Sequence, residues 1–154
     1  MKQSAGILLY KKANNETYVL LAHPGGPFWK NKDLGAWSIP KGEFTDPENP
    51  LDAAIREFEE EIGEKLSGDF MALSPVILKS GKRIYAWALE KDLDVSSVKS
   101  NEIEIEWPPK SGMKMMIPEI DKATWFSIPQ AMEKINSGQV ELIKQLIAEI
   151  QNNS

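Results

Sequence analysis

Residues 42–63 read GEFTDPENPLDAAIREFEEEIG, a stretch in which a loop rich in acidic residues and proline leads into a segment with helical periodicity. The boundaries of a helix are visible in its second half. Asn49 is a favoured N-cap residue, Pro50 suits the first helical position, and Gly63 is the residue type that most often follows the last turn. The sequence therefore predicts a helix over residues 50–62, with glutamates crowded into its last turns.

These glutamates need a stabilising partner. Like charges three or four residues apart on a helix repel by roughly 0.2–0.5 kcal/mol per pair, and acids near the C-terminal end oppose the macrodipole. On a helical wheel, Glu57, Glu60 and Glu61 fall within an arc of about 100°. The apolar stripe beside them, which is predicted to face the core, consists of Leu51, Ile55, Phe58 and Ile62. Packing of this stripe would hold the carboxylates in one direction.

A divalent cation is a partner that would offset the repulsion. The chain has no cysteine and a single histidine, His23, so thiolate and histidine-rich metal sites are excluded. Carboxylate oxygens are the ligands that Mg²⁺ and Mn²⁺ prefer. Two other interpretations remain open at this point: a solvated acidic face, and an acidic interaction domain that binds a basic partner without any metal.

Length and composition narrow the class of protein. With 154 residues, of which 42% are hydrophobic, the chain is expected to form one domain over residues 1–154. No stretch approaches the roughly 18 apolar residues of a membrane span, so a soluble, cytoplasmic protein is expected. The formal net charge of -5 disfavours nucleic acid as a partner and requires local cations for any polyanionic substrate.

The remaining pattern predicts strands before, between and after a few helices. Apolar runs at 4–10 and 17–23, joined by a polar turn, indicate a hairpin covered on both faces. A Gly- and Pro-rich loop follows at 24–35, and a strand is expected around 36–40. Further strands are predicted at 70–78, 83–89, 101–107 (half-buried) and 123–128, a loop at 108–116, helices at 130–135 and 140–150, and a frayed end at 151–154. This order indicates an α/β or α+β fold with a mixed sheet.

The spacing within the opening stretch resembles the signature of a known family, the Nudix hydrolases. The matching residues are Gly42, Glu48, Arg56, Glu57, Phe58, Glu60, Glu61 and Gly63. One departure is Glu64, where the family usually has an aliphatic residue. The flanking stretches SAGILLYKK, WSIPKG and DKATWFSIPQA also look similar to Nudix domains. The resemblance implies an α/β/α sandwich with a mixed β-sheet.

The resemblance also implies a reaction. Nudix enzymes hydrolyse a phosphoanhydride bond, usually in a nucleotide, with a divalent cation and an attacking water. It assigns metal binding to Glu57, Glu60, Glu61 and Gly42, and catalysis to the three glutamates and Arg56, which would brace the loop and its acids. Glu57 is the first choice for the general base, with Glu102, Glu104 and Glu106 as alternatives. Glu48 either favours the helix dipole or lies near the metal.

Substrate contacts are predicted outside the glutamate helix. Lys41 and Arg83 offer cations for phosphate groups. Arg83 clusters with Lys79 and Lys82 at a predicted hairpin, and solvated surface is the favoured interpretation for this hairpin cluster. Trp29, in the Gly-Pro loop, is the preferred aromatic residue for a nucleobase, whereas Trp37 is expected in the core. The substrate implied is a dinucleoside polyphosphate such as diadenosine tetraphosphate, or an NTP, bound by a monomer or homodimer. A catalytically weak nucleotide-binding or sensing module is the alternative.

Overall fold

Two long strands near the N-terminus form the middle of the sheet. The computed structural model describes residues 2–96, 98 and 100–152. The first strand, Gln3–Ala13, pairs antiparallel with the second, Glu16–Pro24, through a register in which Tyr10 lies opposite Val19. Their central residues are fully buried on both faces, as the continuous apolar runs predict.

In chain order, the strands are β1 (Gln3–Ala13), β2 (Glu16–Pro24), β3 (Lys41–Phe44), β4 (Met71–Ala72), β5 (Val76–Ile77), β6 (Arg83–Glu90), β7 (Glu102–Glu106), β8 (Lys114–Pro118) and β9 (Ile120–Ser127). The helices are α1 (Pro50–Ile62), α2 (Ile128–Lys134) and α3 (Val140–Asn152), with a one-turn 3-10 helix at Ser137–Gln139. β6 runs parallel to β1, whereas β3 pairs antiparallel with β1 and β9 with β2. The sheet is therefore mixed, as expected.

Helices cover both faces of this sheet. One apolar cluster joins α1 to the side chains of β1 and β2 that point to its face, including Ile7, Leu20 and Phe58. The other joins α3 to the opposite face, where Leu8, Leu21 and Leu142 are fully buried. The α/β/α sandwich is thus confirmed. No helix in the described part of the chain is both long and apolar enough to cross a bilayer.

The glutamate helix has the predicted bounds and the predicted caps. The side chain of Asn49 accepts hydrogen bonds from the N–H groups of Leu51 (2.9 Å) and Asp52 (3.2 Å). Gly63 has a left-handed conformation (φ 93°) and its N–H donates to the carbonyl oxygen of Glu59. The predicted core stripe is partly wrong, because Ile55 and Leu51 are only half-buried, while Ala53 and Ala54 face the sheet. Compared with the prediction, the buried side of α1 is therefore rotated around the helix axis towards Glu57 and Glu61.

Strand predictions failed where tertiary pairing decides the structure. The alternating stretch at 101–107 was expected to be half-buried, but β7 is mostly exposed, and among the described residues it pairs only with β8. Part of the predicted loop at 108–116 belongs to β8, so the two strands form a ribbon outside the main sheet. The strand expected at 36–40 is instead β3, at 41–44. The strand predicted at 70–78 is interrupted between β4 and β5, where Ser74 and Pro75 lie.

The C-terminal helices lie close to their predicted positions. α2 begins two residues before the predicted segment 130–135, and α3 extends to Asn152 rather than ending at residue 150. Gln151 and Asn152 are therefore helical rather than frayed. Asn153 and Ser154, the rest of the predicted frayed end, lie outside the described residues.

Replacement of Asn49 by alanine should lower the free energy of unfolding by about 1 kcal/mol, because two N–H groups of the first helical turn lose their acceptor. Asn49→Asp is the matched control, since a carboxylate accepts the same hydrogen bonds and also favours the helix dipole. Urea denaturation measures both variants. Equal stability of the alanine and aspartate variants would contradict the assigned cap.

Candidate active site

Three carboxylates from two distant parts of the chain converge at one end of α1. Oxygen atoms of Glu57, Glu61 and Glu119 all lie within 4.8 Å of one another. Glu57 and Glu61 are one helical turn apart and both are only 7% exposed. Glu119 is half-buried and connects β8 to β9. We call these three residues the acid cluster.

Backbone contacts hold Glu119 in place. Its N–H donates to the carbonyl oxygen of Asn101 (2.9 Å), and its own carbonyl oxygen accepts from the N–H of Gly25 (3.0 Å). The Gly-Pro loop and the start of the β7–β8 ribbon therefore fix the position of this acid. The sequence interpretation missed Glu119, because no local motif marks it and its place depends on strand pairing far beyond α1 in the sequence.

Gly42 allows the carboxylate of Glu57 to approach the backbone of β3. A Cβ atom on Gly42 would lie 1.9 Å from Oε2 of Glu57, far inside van der Waals contact. The backbone N–H of the preceding residue, Lys41, donates a hydrogen bond to Glu61. β3 thus contacts both helical members of the acid cluster, which gives Gly42 a steric role. Its predicted role as a metal ligand remains a prediction.

Burial raises the pKa of all three members of the acid cluster. Burial, followed by the charges of Glu119 and Glu57, raises the pKa of Glu61 to about 8, although Lys41 acts in the opposite direction. Burial is also the main cause of the raised pKa of Glu57, and burial followed by the charge of Glu60 raises the pKa of Glu119. Closely spaced oxygen donors that resist ionisation fit Mg²⁺ or Mn²⁺, whose charge would compensate theirs.

Arg56 connects the acid cluster to the loop before α1. Its Nε and Nη2 atoms donate to the two carboxylate oxygens of Glu48, both at 2.9 Å, and Nη1 donates to Oε1 of Glu57 at 2.7 Å. The hydrogen bonds to Glu48 are the first cause of a raised pKa of Arg56 and a lowered pKa of Glu48. These are the bracing contacts predicted for Arg56, and they assign Glu48 to a bidentate ion pair.

Glu60 lies beside the acid cluster but is not part of it. Its carboxylate accepts a long hydrogen bond (3.4 Å) from Nη1 of Arg56, and its charge contributes to the raised pKa values of Glu57 and Glu119. The structure therefore brings together two of the three predicted glutamates and replaces the third by Glu119. A ligand role for Glu60 remains a prediction.

The alternative base candidates on β7 are exposed and have other contacts. Glu106 accepts hydrogen bonds from the N–H groups of Lys110 (2.8 Å) and Gly112 (3.1 Å), which closes the turn of the ribbon. Glu104 forms an ion pair with Lys114 at 3.8 Å. Glu102 is exposed at the start of the strand. Within the described residues, none of the three belongs to the acid cluster.

The predicted substrate contacts are dispersed. Lys41 adjoins the acid cluster and is half-buried. Trp29 packs its half-buried ring against the core on the α3 side and forms a T-shaped contact with the exposed ring of Phe28. Arg83 lies at the start of β6, where Nη1 donates to the hydroxyl oxygen of Tyr85 rather than to the acid cluster. Trp37 is in the core, as expected.

His23 has a structural environment. Its ring is 3% exposed, Nδ1 lies 3.0 Å from a carboxylate oxygen of Asp121, and Nε2 lies 2.6 Å from the carbonyl oxygen of Lys32. These contacts tie the Gly-Pro loop to β9.

Comparisons with known proteins agree with the fold and the spacing. The family model for the NUDIX domain matches residues 2–146. No curated protein sequence matches the chain significantly. The chain is similar to an Ap4A hydrolase binary complex from C. elegans, with 20% identity, a TM-score of 0.67 and coverage of 99% of both chains. It is also similar to the NUDIX domain of Shewanella oneidensis NrtR complexed with ADP ribose, with 15% identity, a TM-score of 0.64 and coverage of 96% of this chain and 87% of that one.

A third similar structure comes from work on MutT from Aliivibrio salmonicida and Vibrio cholerae, with 15% identity, a TM-score of 0.57 and coverage of 96% of both chains. At these identities, the structural likeness establishes the fold alone. The family match covers residues 42–63, so the motif lies within the matched NUDIX domain.

Without divalent cations, the protein should become less stable as the pH rises from about 5 to about 8. The unfolded chain releases the Glu61 proton near its usual pKa, while the folded chain retains it up to a pKa of about 8, so each pH step in this window favours unfolding. Glu61→Gln should remove much of this slope, and the exposed Glu59→Gln should keep it. Urea denaturation in EDTA measures the slopes, and equal slopes in both variants would contradict the burial of an ionisable Glu61.

Replacement of Gly42 by alanine should weaken Mn²⁺ binding by about tenfold or more, because the added methyl group displaces the carboxylate of Glu57. Thr45→Ala, an exposed change in the following loop, serves as the control. Isothermal titration calorimetry measures the affinity, and a melting curve confirms that each variant is folded. Unchanged Mn²⁺ affinity in Gly42→Ala would show that Glu57 does not depend on this close contact.

Proposed function

Because this chain belongs to the NUDIX domain family, the Nudix hydrolases, we propose that it is a divalent-cation-dependent pyrophosphohydrolase acting on a nucleoside diphosphate-linked substrate. Membership of this family makes it a hydrolase of acid anhydrides in phosphorus-containing compounds. The observation that supports the more specific proposal is the acid cluster, in which buried carboxylates converge beside a glycine backbone. Such a site favours a hard divalent cation over a solvated acidic surface.

The residues that would hold Mg²⁺ or Mn²⁺ are Glu57, Glu61 and Glu119, with Glu60 as the neighbouring acid. When bound, the cation would neutralise phosphate oxygens and lower the pKa of a coordinated water. Core packing of α1 and the contact with Gly42 fix the direction of the two helical carboxylates. The chain thereby supplies ligands that need little rearrangement when the substrate binds.

Two residues are suited to accept the proton of the attacking water. Glu57 remains the first choice: Arg56 holds its Oε1, and its second oxygen lies against Gly42. Glu119 is the second candidate, because its pKa is raised and its carboxylate makes no hydrogen bond or ion pair with a cation in the described residues. A raised pKa makes a carboxylate a stronger base near neutral pH. Arg56 would act by positioning Glu57.

The proposed substrate is a dinucleoside polyphosphate such as diadenosine tetraphosphate, or an NTP. The similar C. elegans protein is an Ap4A hydrolase, and the similar NrtR domain binds ADP ribose, which also contains a diphosphate linked to a nucleoside. Lys41 lies within electrostatic range of Glu61 and Glu57, and its ammonium group is suited to contact a phosphate group. We propose a small nucleotide rather than a nucleic acid, since the net charge is -5.

Nucleotide binding without hydrolysis is the second candidate function. It is favoured by the fold similarity to the NrtR domain, which was solved with ADP ribose bound. In that case the acid cluster would still bind a cation and a diphosphate, but no product would form. Hydrolysis assays therefore separate the two functions.

Glu57→Gln, Glu61→Gln and Glu119→Gln should each reduce kcat/KM by about 100-fold or more in the presence of Mg²⁺, since each removes a negative oxygen from the cluster. Glu59→Gln, on the same helix but exposed, should leave kcat/KM unchanged. Chromatography of products from diadenosine tetraphosphate, ADP ribose and dGTP measures the rates. Absence of cleavage of all three by the unmodified protein would favour the binding module, and full activity of Glu119→Gln would remove Glu119 from the site.

A further inference from the structure

One face of the β7–β8 ribbon is built from apolar side chains alone. Side chains alternate between the two faces along each strand, and residues directly opposite each other in the ribbon share a face. The glutamates of β7 and Lys114 of β8 therefore project from the other face. The N–H of Trp107 donates to the carbonyl oxygen of Met113 (3.0 Å), which extends the pairing by one residue beyond the strands. The apolar face consists of Ile103, Ile105, Trp107, Met113, Met115 and Ile117.

Along β8, this apolar face changes from buried to exposed. Ile117 is 8% exposed, and a Cβ atom on Gly26 would lie 2.6 Å from its Cδ1 atom. The exposed fraction then rises to 42% for Met115 and 64% for Met113. Within the described residues, no member of the face belongs to either core cluster. Contiguous apolar side chains that stay exposed on a folded domain mark a binding surface.

Hydrogen bonds fix the base of the ribbon beside the acid cluster. The N–H of Asn101, just before β7, donates to the carbonyl oxygen of Glu60 on α1 (3.1 Å). The carbonyl oxygen of Asn101 accepts from the N–H of Glu119 (2.9 Å), which lies between β8 and β9. At about 3.4 Å per residue, Ile117 lies roughly 7 Å and Met115 roughly 14 Å along the strand from Glu119. The apolar face therefore begins next to the acid cluster and extends outwards by about the length of a nucleotide.

The size and charge of the ribbon disfavour a second copy of the chain as the occupant. Five residues on each of two strands give a face of about 17 Å by 10 Å, on the order of 200 Å², whereas a stable dimer interface buries about 800 Å² per partner. Two copies could not pair favourably along β7 either, because antiparallel pairing about a two-fold axis sets glutamate opposite glutamate. The face matches a small ligand in size.

The residue types of the apolar face suit a nucleobase. Thioether sulfur atoms make favourable contacts with aromatic rings, and the unbranched side chains of Met113 and Met115 adapt to a flat ring. Apart from the indole N–H of Trp107, the face offers no strong hydrogen-bonding side chain, so it holds a ring by apolar contact rather than by reading its edge. The carboxylates of β7 project from the opposite face, away from a polyanionic ligand on the apolar side.

We propose that the apolar face of the β7–β8 ribbon holds the nucleobase of a substrate whose cleaved phosphoanhydride bond lies at the acid cluster. Ile105 and Met115, which lie opposite each other in the ribbon, form the centre of the contact. The assignment rests on the proposed function, from which it takes the cleaved bond. The ribbon makes the nucleoside, in addition to the diphosphate, a determinant of affinity.

Two uncleavable ligands separate the nucleoside contact from the phosphate contact. α,β-Methylene-ADP carries a nucleoside, and methylenediphosphonate has the same pair of phosphorus atoms without it. In calorimetric titrations with Mn²⁺, Met115→Gln should bind α,β-methylene-ADP about tenfold more weakly than the unmodified protein, because a polar amide replaces an apolar contact. Its affinity for methylenediphosphonate should be unchanged. Met116→Gln, the same change at the next residue but on the opposite face, should alter neither affinity.

Three results would overturn the proposal. The first is equal affinity of Met115→Gln and Met116→Gln for α,β-methylene-ADP. The second is an equal loss of affinity for both ligands in Met115→Gln, which would place the effect at the acid cluster. The third comes from analytical ultracentrifugation: if the unmodified protein is a dimer that Met115→Gln dissociates at unchanged nucleotide affinity, the face is a subunit interface. Melting curves confirm that both variants are folded.

Steady-state kinetics distinguishes a failure of the ribbon contact from a failure of the proposed function. With Mg²⁺, Met115→Gln should raise KM for diadenosine tetraphosphate several-fold at unchanged kcat, because it removes binding that is equal in the ground state and the transition state. If hydrolysis proceeds but Met115→Gln and Met116→Gln have the same KM, the ribbon proposal is wrong and the proposed function stands. If no variant hydrolyses the substrate while the α,β-methylene-ADP affinities follow the expected order, the hydrolase function fails and the ribbon contact is supported.

Discussion

The burial of two carboxylates on α1 is the constraint around which the rest of the site is arranged. Glu57 and Glu61 are each only 7% exposed, although an ionised carboxylate in such a place is costly without compensation. Arg56 compensates one oxygen of Glu57, and the backbone N–H of Lys41 compensates part of Glu61. Protons or a cation must compensate the remainder, and a third acid, Glu119, increases the need.

The burial of these carboxylates explains the residue types at two other positions, Gly42 and Phe58. Gly42 is small because Glu57 occupies the space that a side chain would need. Phe58, fully buried between the two acids in sequence, anchors α1 to the sheet and thereby prevents the carboxylates from turning towards water. The unfavourable charge at the end of the helix is thus maintained by packing elsewhere. Local destabilisation that is compensated by packing elsewhere in the fold is typical of functional sites.

Local signals predicted α1 and its caps, while long-range contacts decided what the sequence left open. Asn49, Pro50 and Gly63 mark the helix because capping depends on neighbouring backbone groups, which the sequence shows directly. Glu119 has no such signal, since its position follows from the pairing of β9 with β2 and from hydrogen bonds to Asn101 and Gly25.

The alternation in β7 predicted a buried face, but that strand pairs with β8 in a ribbon outside the main sheet, so its isoleucines have little core to cover. The helical wheel predicted the wrong buried side of α1 for a related reason. Ala53 and Ala54 pack against the sheet, so Glu57 and Glu61 are more buried than the hydrophobicity of the helix alone indicates.

The position of a bound ion tests the central claim most directly. Crystals grown with Mn²⁺ and measured at a wavelength where manganese scatters anomalously would locate the ion independently of any assay. The predicted result is an anomalous peak in contact with carboxylate oxygens of Glu57 and Glu61, with Glu119 beside it. A fully occupied manganese ion bound only to exposed acids, such as those on β7, with the acid cluster left as protonated carboxyl groups, would contradict the proposed metal site.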